Sequence, residues 1–142
     1  MTMKILLPTD GSEHAEKTIQ YAVSLAKATG ATVVAMYAFN PPLTLRSQRG
    51  AAMMEEFKAS LEAEAKEIIA EVAERLAREG LNVVALAVEG PPAEAILRAA
   101  EEEKPDVIVM GSRGSGAWPG LTLGGVAEKV VRYSPVTVTV VK

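Results

Sequence analysis

The sequence predicts an α/β domain: an open, five-stranded parallel sheet with helices on both faces. Three observations point there. The length of 142 residues suits one domain, and an apolar share of 49% suffices for one sizeable core. Short apolar runs rich in β-branched residues alternate with longer stretches of helical period, the order that calls for a mainly parallel sheet with right-handed crossovers. Turn residues (Pro, Gly, Asp, Asn) punctuate the boundaries between the two kinds of segment.

Ile5-Leu6-Leu7 is a continuous apolar run stopped by Pro8-Thr9-Asp10-Gly11, as expected of a strand buried on both faces. From Ser12, read as an N-cap, Ala15, Ile19, Ala22, Val23 and Ala26 recur at helical spacing up to Gly30. Thr32 to Phe39 reads as the second strand, ended by Asn40-Pro41-Pro42. Pro41 to Gly50, with Arg46 and Arg49, lacks apolar periodicity and is expected to be an exposed loop. A long helix over Ala51–Glu79 keeps Met54, Phe57, Leu61, Ala65, Ile68, Val72 and Leu76 on one face, with Glu, Lys and Arg on the others. Leu81 to Val88 is a third strand and Gly90-Pro91-Pro92 a turn. Ala93 to Glu103 is then a helix with proline near its start. After Pro105, Asp106 to Met110 forms a fourth strand. A glycine-rich loop, a helix from about Gly124 to Tyr133 and a last strand over Val136–Val141 complete the chain.

Composition excludes several function classes. A net charge of −3, from 15 basic and 18 acidic side chains, leaves no broad positive field for nucleic acid or an anionic membrane. The absence of cysteine removes disulfides and thiolate chemistry and is compatible with a reducing compartment. Charged residues, Pro and Gly interrupt every apolar run before membrane-spanning length, and the first run is too short for a signal-peptide core. A soluble cytoplasmic protein is the expectation.

In a sheet of this kind, ligands bind beyond the carboxyl ends of the strands, where the winding direction reverses, so the loops after the first and fourth strands are the candidates. The segment Gly111 to Val126 holds six glycines and leads into a helix. Glycine lets main-chain N–H groups approach an oxyanion, and a helix start adds its dipole, so phosphate is the natural ligand; a connection that merely needs turns would read the same way. The loop is not a Walker A sequence, since Ala117 follows Gly116 and no lysine comes before Lys129. Nor does a GxGxxG follow the first strand. Of the two aspartates, Asp106 opens the fourth strand at the far end of the sheet, leaving Asp10 at the crevice. There it can accept hydrogen bonds from a ribose hydroxyl or an adenine amino group, or close a turn or cap a helix.

Pro8-Thr9-Asp10-Gly11-Ser12-Glu13, Gly90 with Pro92, and Met110-Gly111-Ser112-Arg113-Gly114 followed by Gly124 together resemble the universal stress proteins over essentially the whole chain, 1–142. Their ATP-binding members carry glycine, two residues, glycine, nine residues, then glycine and Ser or Thr; Gly111, Gly114 and Gly124 fall at that spacing. The resemblance implies a Rossmann-like, adenine nucleotide alpha hydrolase-like fold. It also implies that Asp10 contacts adenosine, with Pro8, Thr9 and Ala38 beside the base and Met110 and Gly111 lining the nucleoside. Gly114, Gly124, Gly125 and Val126 would then offer N–H groups to the phosphates and Arg113 a charge, or Arg113 is simply a solvated surface residue. Gly125 stands where the family has Ser or Thr, which removes a hydroxyl donor and is expected to weaken ATP about tenfold and let ADP or AMP compete. Magnesium would arrive mainly on the nucleotide.

Binding is better supported than turnover. The sole histidine, His14, is placed for a surface or capping role, and Ser112 and Ser115 have no base in view. Trp118 either covers a nucleotide or partner or is an exposed hydrophobe. The last strand alternates Val136, Val138 and Val140 with Thr137 and Thr139, as an edge strand does, and a homodimer through 136–141 is expected; dimerisation by this strand is also common among the family the chain resembles. The sequence thus predicts an ATP-binding regulatory, stress-response protein whose bound nucleotide alters the surface offered to an unidentified protein partner. The alternatives are a nucleotide-free dimeric interaction module and a slow ATPase.

Overall fold

The computed structural model describes residues 2–11, 15–42, 48–112 and 123–142, with the backbone alone for 48–51. The elements run β1 (Lys4–Thr9), α1 (Ala15–Thr29), β2 (Thr32–Phe39), α2 (Gln48–Arg78), β3 (Asn82–Glu89), α3 (Pro92–Glu103), β4 (Val107–Gly111), α4 (Gly125–Tyr133) and β5 (Thr137–Val141). The five strands form one sheet in the order β3-β2-β1-β4-β5, with every neighbouring pair parallel. The α/β class and the parallel sheet are therefore as predicted.

Alternation along each strand divides the core into two. Ile5, Leu7, Val33, Ala35, Val107 and Val109 pack with Ile19, Ala22 and Ala26 of α1 and Ile69 and Leu76 of α2. Leu6, Val34, Met36, Ile108 and Met110 point the other way, onto Ala95, Ile96 and Ala99 of α3 and Ala127 and Val130 of α4. Ile5, Leu6, Leu7, Val33, Ala35, Ile108 and Val109 are fully buried, which is why the central strands read as unbroken apolar runs.

Several boundaries shift by one residue, β3 to Asn82–Glu89 and β4 to Val107–Gly111 among them, and three differences have a visible cause. β1 continues through Pro8 to Thr9, pairing Pro8 with Met36 and Thr9 with Tyr37 of β2. α2 begins at Gln48, so the end of the expected 41–50 loop is helical; residues 43–47 lie outside the described residues. Charged and polar residues at 48 and 49 hid this start, since an exposed helix end carries no apolar period. β5 starts at Thr137 rather than Val136, because the Ser134 hydroxyl accepts from the Val136 N–H and donates to the Val136 carbonyl, folding that residue into a local turn.

α2 is 31 residues long, about 46 Å at the helical rise, against about 26 Å for the eight residues of β3. The Lys58–Glu89 ion pair at 3.1 Å marks the level at which the helix passes the end of β3, and the turns before it overhang the sheet. Among the described residues no helix is long and apolar enough to cross a membrane.

Candidate functional site

The winding reverses between β1 and β4, which lie side by side while β2 and β3 extend the sheet one way and β5 the other. At their amino ends these two strands are fastened: the Lys4 N–H donates to Asp106 Oδ2 at 2.7 Å, and the Asp106 N–H donates to the Lys4 carbonyl at 2.8 Å. Asp106 thus has a structural place far from the crevice. At the carboxyl ends the strands are not fastened in this way. Their pairing runs through Ile5↔Val107 and Leu6↔Ile108, whereas β1 stays paired with β2 up to Thr9. Main-chain groups alternate sides along a strand, so Pro8 turns the same way as Lys4 and Leu6, toward β4, and there it has no N–H to give. The hydrogen-bonded pairing of β1 with β4 ends before this proline, and the gap in that ladder marks the crevice.

Several predicted site residues converge on that gap. Pro8 shares a register with Met36, and Met36, Ala38 and Met110 belong to the core on the α3 and α4 side. Pro8, Ala38 and Met110 therefore present one sheet face near three strand ends. Met110 is buried and Gly111 half-buried at the end of β4, and Asp10 is exposed just past β1. Thr9 differs. Its register with Tyr37 puts it on the α1 and α2 side, and its hydroxyl accepts from the Gly11 N–H at 3.2 Å, closing the turn. Only its main chain is left for the crevice. Gly11 has φ +74°, so this turn needs glycine for its conformation, and a Cβ there would come into contact with Ile68 Cγ2 of α2 at 3.4 Å.

The base of the glycine loop is tied down. Ser112 is buried, its N–H donates to the Val141 carbonyl at 2.9 Å, and its own carbonyl accepts from the Gly124 N–H at 2.6 Å. That last bond occupies one of the donors that the sequence reading offered to phosphate. Gly124 is the N-cap of α4 and brings no side-chain cap, and its carbonyl accepts from Glu128 at 2.9 Å. The N–H groups of Gly125, Val126 and Ala127 have no acceptor within the helix, as at any helix start. Gly125 and Val126 are exposed. Arg113, Gly114, Ser115 and Trp118 lie outside the described residues, as do Ser12 and His14.

One charge pair near this end was not legible in the sequence. Lys129 Nζ of α4 donates to Glu94 Oε1 in the first turn of α3, and this hydrogen bond holds the Glu94 carboxyl below the ordinary glutamate value. Since α3 and α4 both start at the carboxyl ends of strands and cover the same face, the pair spans the helix starts beside the crevice. Residues 35 positions apart give no periodic signal, so only the fold reveals the partnership. Among the described residues no group of three or more His, Asp or Glu stands together to hold a metal ion.

Comparison with known proteins agrees with this architecture. Residues 1–142 match the model described as Universal stress protein family. A universal stress protein of Thermus aquaticus is 40% identical over 144 residues, with both chains covered in full. The solved structure of MJ0577, whose counterpart sequence is a universal stress protein of Methanocaldococcus jannaschii, superposes with a TM-score of 0.86 at 32% identity, covering 100% of this chain and 96% of that one. A universal stress protein solved in complex with cAMP gives a TM-score of 0.72 at 25% identity, covering 99% of this chain and 97% of the other. The fold is thus shared along the full length of these relatives, and the chain belongs to the universal stress protein family.

Proposed function

We propose that the crevice between β1 and β4 binds an adenine nucleotide, and that the protein is a cytoplasmic, ATP-binding regulatory protein of the stress response. The observation that carries this reading is the coincidence of three features at the switch point: the Gly111, Gly114, Gly124 spacing, an α4 start with no side-chain cap, and a proline that stops the pairing of β1 with β4. Adenosine would lie against Pro8, Ala38 and Met110, with Asp10 and the main chain of Thr9 and Gly111 supplying polar contacts. Phosphates would meet the N–H groups of Gly125 and Val126, with Gly114 and Arg113 as further donors and Gly124 contributing if it releases Ser112. Magnesium would come on the nucleotide, in keeping with the lack of a carboxylate cluster among the described residues. The cAMP-bound relative supports adenine nucleotides as the ligand class.

Isothermal titration of the nucleotide-stripped protein with ATP, ADP and AMP in magnesium tests the reading. Binding near micromolar, about 8 kcal/mol, is the expected result. No heat and no thermal shift up to millimolar nucleotide would overturn it and favour the second reading, a nucleotide-free dimeric interaction module. Gly125, which lacks the hydroxyl of ATP-binding members, favours that alternative.

A homodimer through residues 136–141 belongs to the same proposal. β5 ends the sheet and pairs with β4 alone among the described strands, and Val138, Thr139, Val140 and Val141 are half-buried, so one edge of apolar character stands ready for a copy of itself. Light scattering that returns a monomer would remove it.

A further inference from the structure

The crevice has a gap in its donor set and a cation one helical turn away. Gly125 and Lys129 are four residues apart on α4, so they share a face of the helix. Helical Cα–Cβ bonds tilt toward the amino end, so the stem of Lys129 sets out toward the turn that holds Gly125, with none of its atoms within 4 Å of a Cβ placed there. Among the described residues, apart from its chain neighbours and the helix's own backbone, nothing lies within 4 Å of where a Cβ on Gly125 would stand. The absence of a side chain there therefore leaves a clear path from the lysine stem to the start of the helix.

Glu94 determines where the ammonium rests. Its carboxylate, in the first turn of α3, holds Lys129 Nζ across to the start of α3 rather than out along α4. The pair is half-exposed, so the ammonium is reachable from water. An ammonium has three donors, and Glu94 Oε1 takes one of them. The same contact cancels a negative charge that would otherwise stand beside an incoming anion.

We propose that Lys129, positioned by Glu94, is the phosphate-directed donor that replaces the missing hydroxyl at Gly125, making the site selective for phosphorylated adenine ligands over adenosine. This rests on the adenine-nucleotide reading given above. Lys129 donates to a phosphate oxygen with one proton while another stays on Glu94, so the anion meets a neutralised pair instead of a bare carboxylate. Losing the lysine then removes a charge-assisted donor and uncovers Glu94 together.

Titration of the full chain with adenosine, AMP and ATP, for wild type, Lys129→Gln, Lys129→Arg and Glu94→Gln, separates the cases. Lys129→Gln is expected to weaken ATP about tenfold and AMP less, while adenosine changes less than about twofold; Lys129→Arg should keep ATP within about threefold of wild type. Glu94→Gln, which keeps an acceptor oxygen to hold the ammonium in place and removes only the competing negative charge, should tighten ATP about threefold. ATP affinity unchanged in Lys129→Gln, or equal losses of ATP and adenosine, overturns the role of Lys129 while leaving the nucleotide reading intact. Unchanged or weaker ATP binding in Glu94→Gln overturns the shared-ammonium arrangement. A wild-type chain that takes neither adenosine nor ATP brings down the nucleotide reading itself and this inference with it.

Discussion

The two helical layers are built to different specifications. On one face, α1 is tied to α2 by Glu16–Arg75 and to the residue just past the end of α2 by Lys27–Glu79, the latter at 2.6 Å. Arg75 lies three residues before Arg78, the last residue of α2, so both ties sit toward one end of the long helix, while Ile68 packs on the turn after β1. On the other face, α3 and α4 span 12 and 9 residues and are joined by Glu94–Lys129 beside the crevice. Pro8, Ala38, Met110 and the start of α4 all belong to this second face. One layer is scaffold, and the other combines packing with the candidate site.

The sharpest test of that division uses two buried residues on opposite faces. Leu76 is fully buried on the scaffold side and Met110 is 4% exposed on the site side. Replacing either by alanine is expected to lower unfolding stability by about 2–5 kcal/mol in urea titrations, through lost burial and the cavity left behind. Only Met110→Ala should also reduce nucleotide affinity when measured under fully native conditions. Equal losses of affinity in both variants would break the comparison.

Next in size is the turn that touches both layers. Gly11→Ala forces a side chain into φ +74° and against Ile68, and a cost of about 1–2 kcal/mol is expected, read as a lower melting temperature. Since Asp10 precedes this residue, nucleotide affinity should fall too, and Asp10→Ala should weaken binding without unfolding the chain.

Gly125→Ser acts on the site side alone. It restores the hydroxyl at an exposed first-turn position with open space around it, and ATP should bind several-fold tighter, on the order of 1 kcal/mol, in titration calorimetry. Unchanged affinity would place the phosphates elsewhere.

The smallest effects concern the ion pairs. Hydrogen bonds from Arg75 and Lys27 lower the values of Glu16 and Glu79 in the folded state, as Lys129 does for Glu94. A lowered folded-state value stabilises above the ordinary glutamate pKa, and that contribution fades as the pH falls below about 4.3 and through the folded value. All these groups are solvent-exposed, so the loss is small and screened by salt. The melting temperature of wild type should therefore drop slightly more on acidification than that of Glu16→Gln. Identical acid profiles in low salt would show that the pair contributes nothing to holding α1 on α2.

Legibility in the sequence follows the same division. The central strands were visible because burial on both faces leaves unbroken apolar runs such as Ile5-Leu6-Leu7. The predicted order of elements and the position of the crevice followed from alternation and topology. Less visible was anything decided by long-range partners. Proline at position 8 reads locally as a stop, yet β1 runs on because its hydrogen bonds there go to β2 and the missing N–H faces away. The resemblance puts Thr9 beside the base together with Pro8 and Ala38, whereas its register with Tyr37 turns its side chain to the other face. The Gly124 N–H looks available until Ser112 is brought beside it by the closure of β4 on β5. Residues 113–122, which carry Gly114 and Arg113, lie outside the described residues and their expected roles stay with the proposal.

Pro8 has a bearing on the thermodynamics of ligand capture. A cleft between two strands that are able to pair must be pried apart, and the ligand bears that cost. Here one strand covalently lacks the donor needed to extend the ladder at that position, so the unbonded seam between the strand ends is a property of the chain itself. The site is preorganised by an atom that is missing. For that reason Pro8→Ala, which restores an N–H facing β4, would be the substitution to ask whether an occupant finds its cleft open or has to make it.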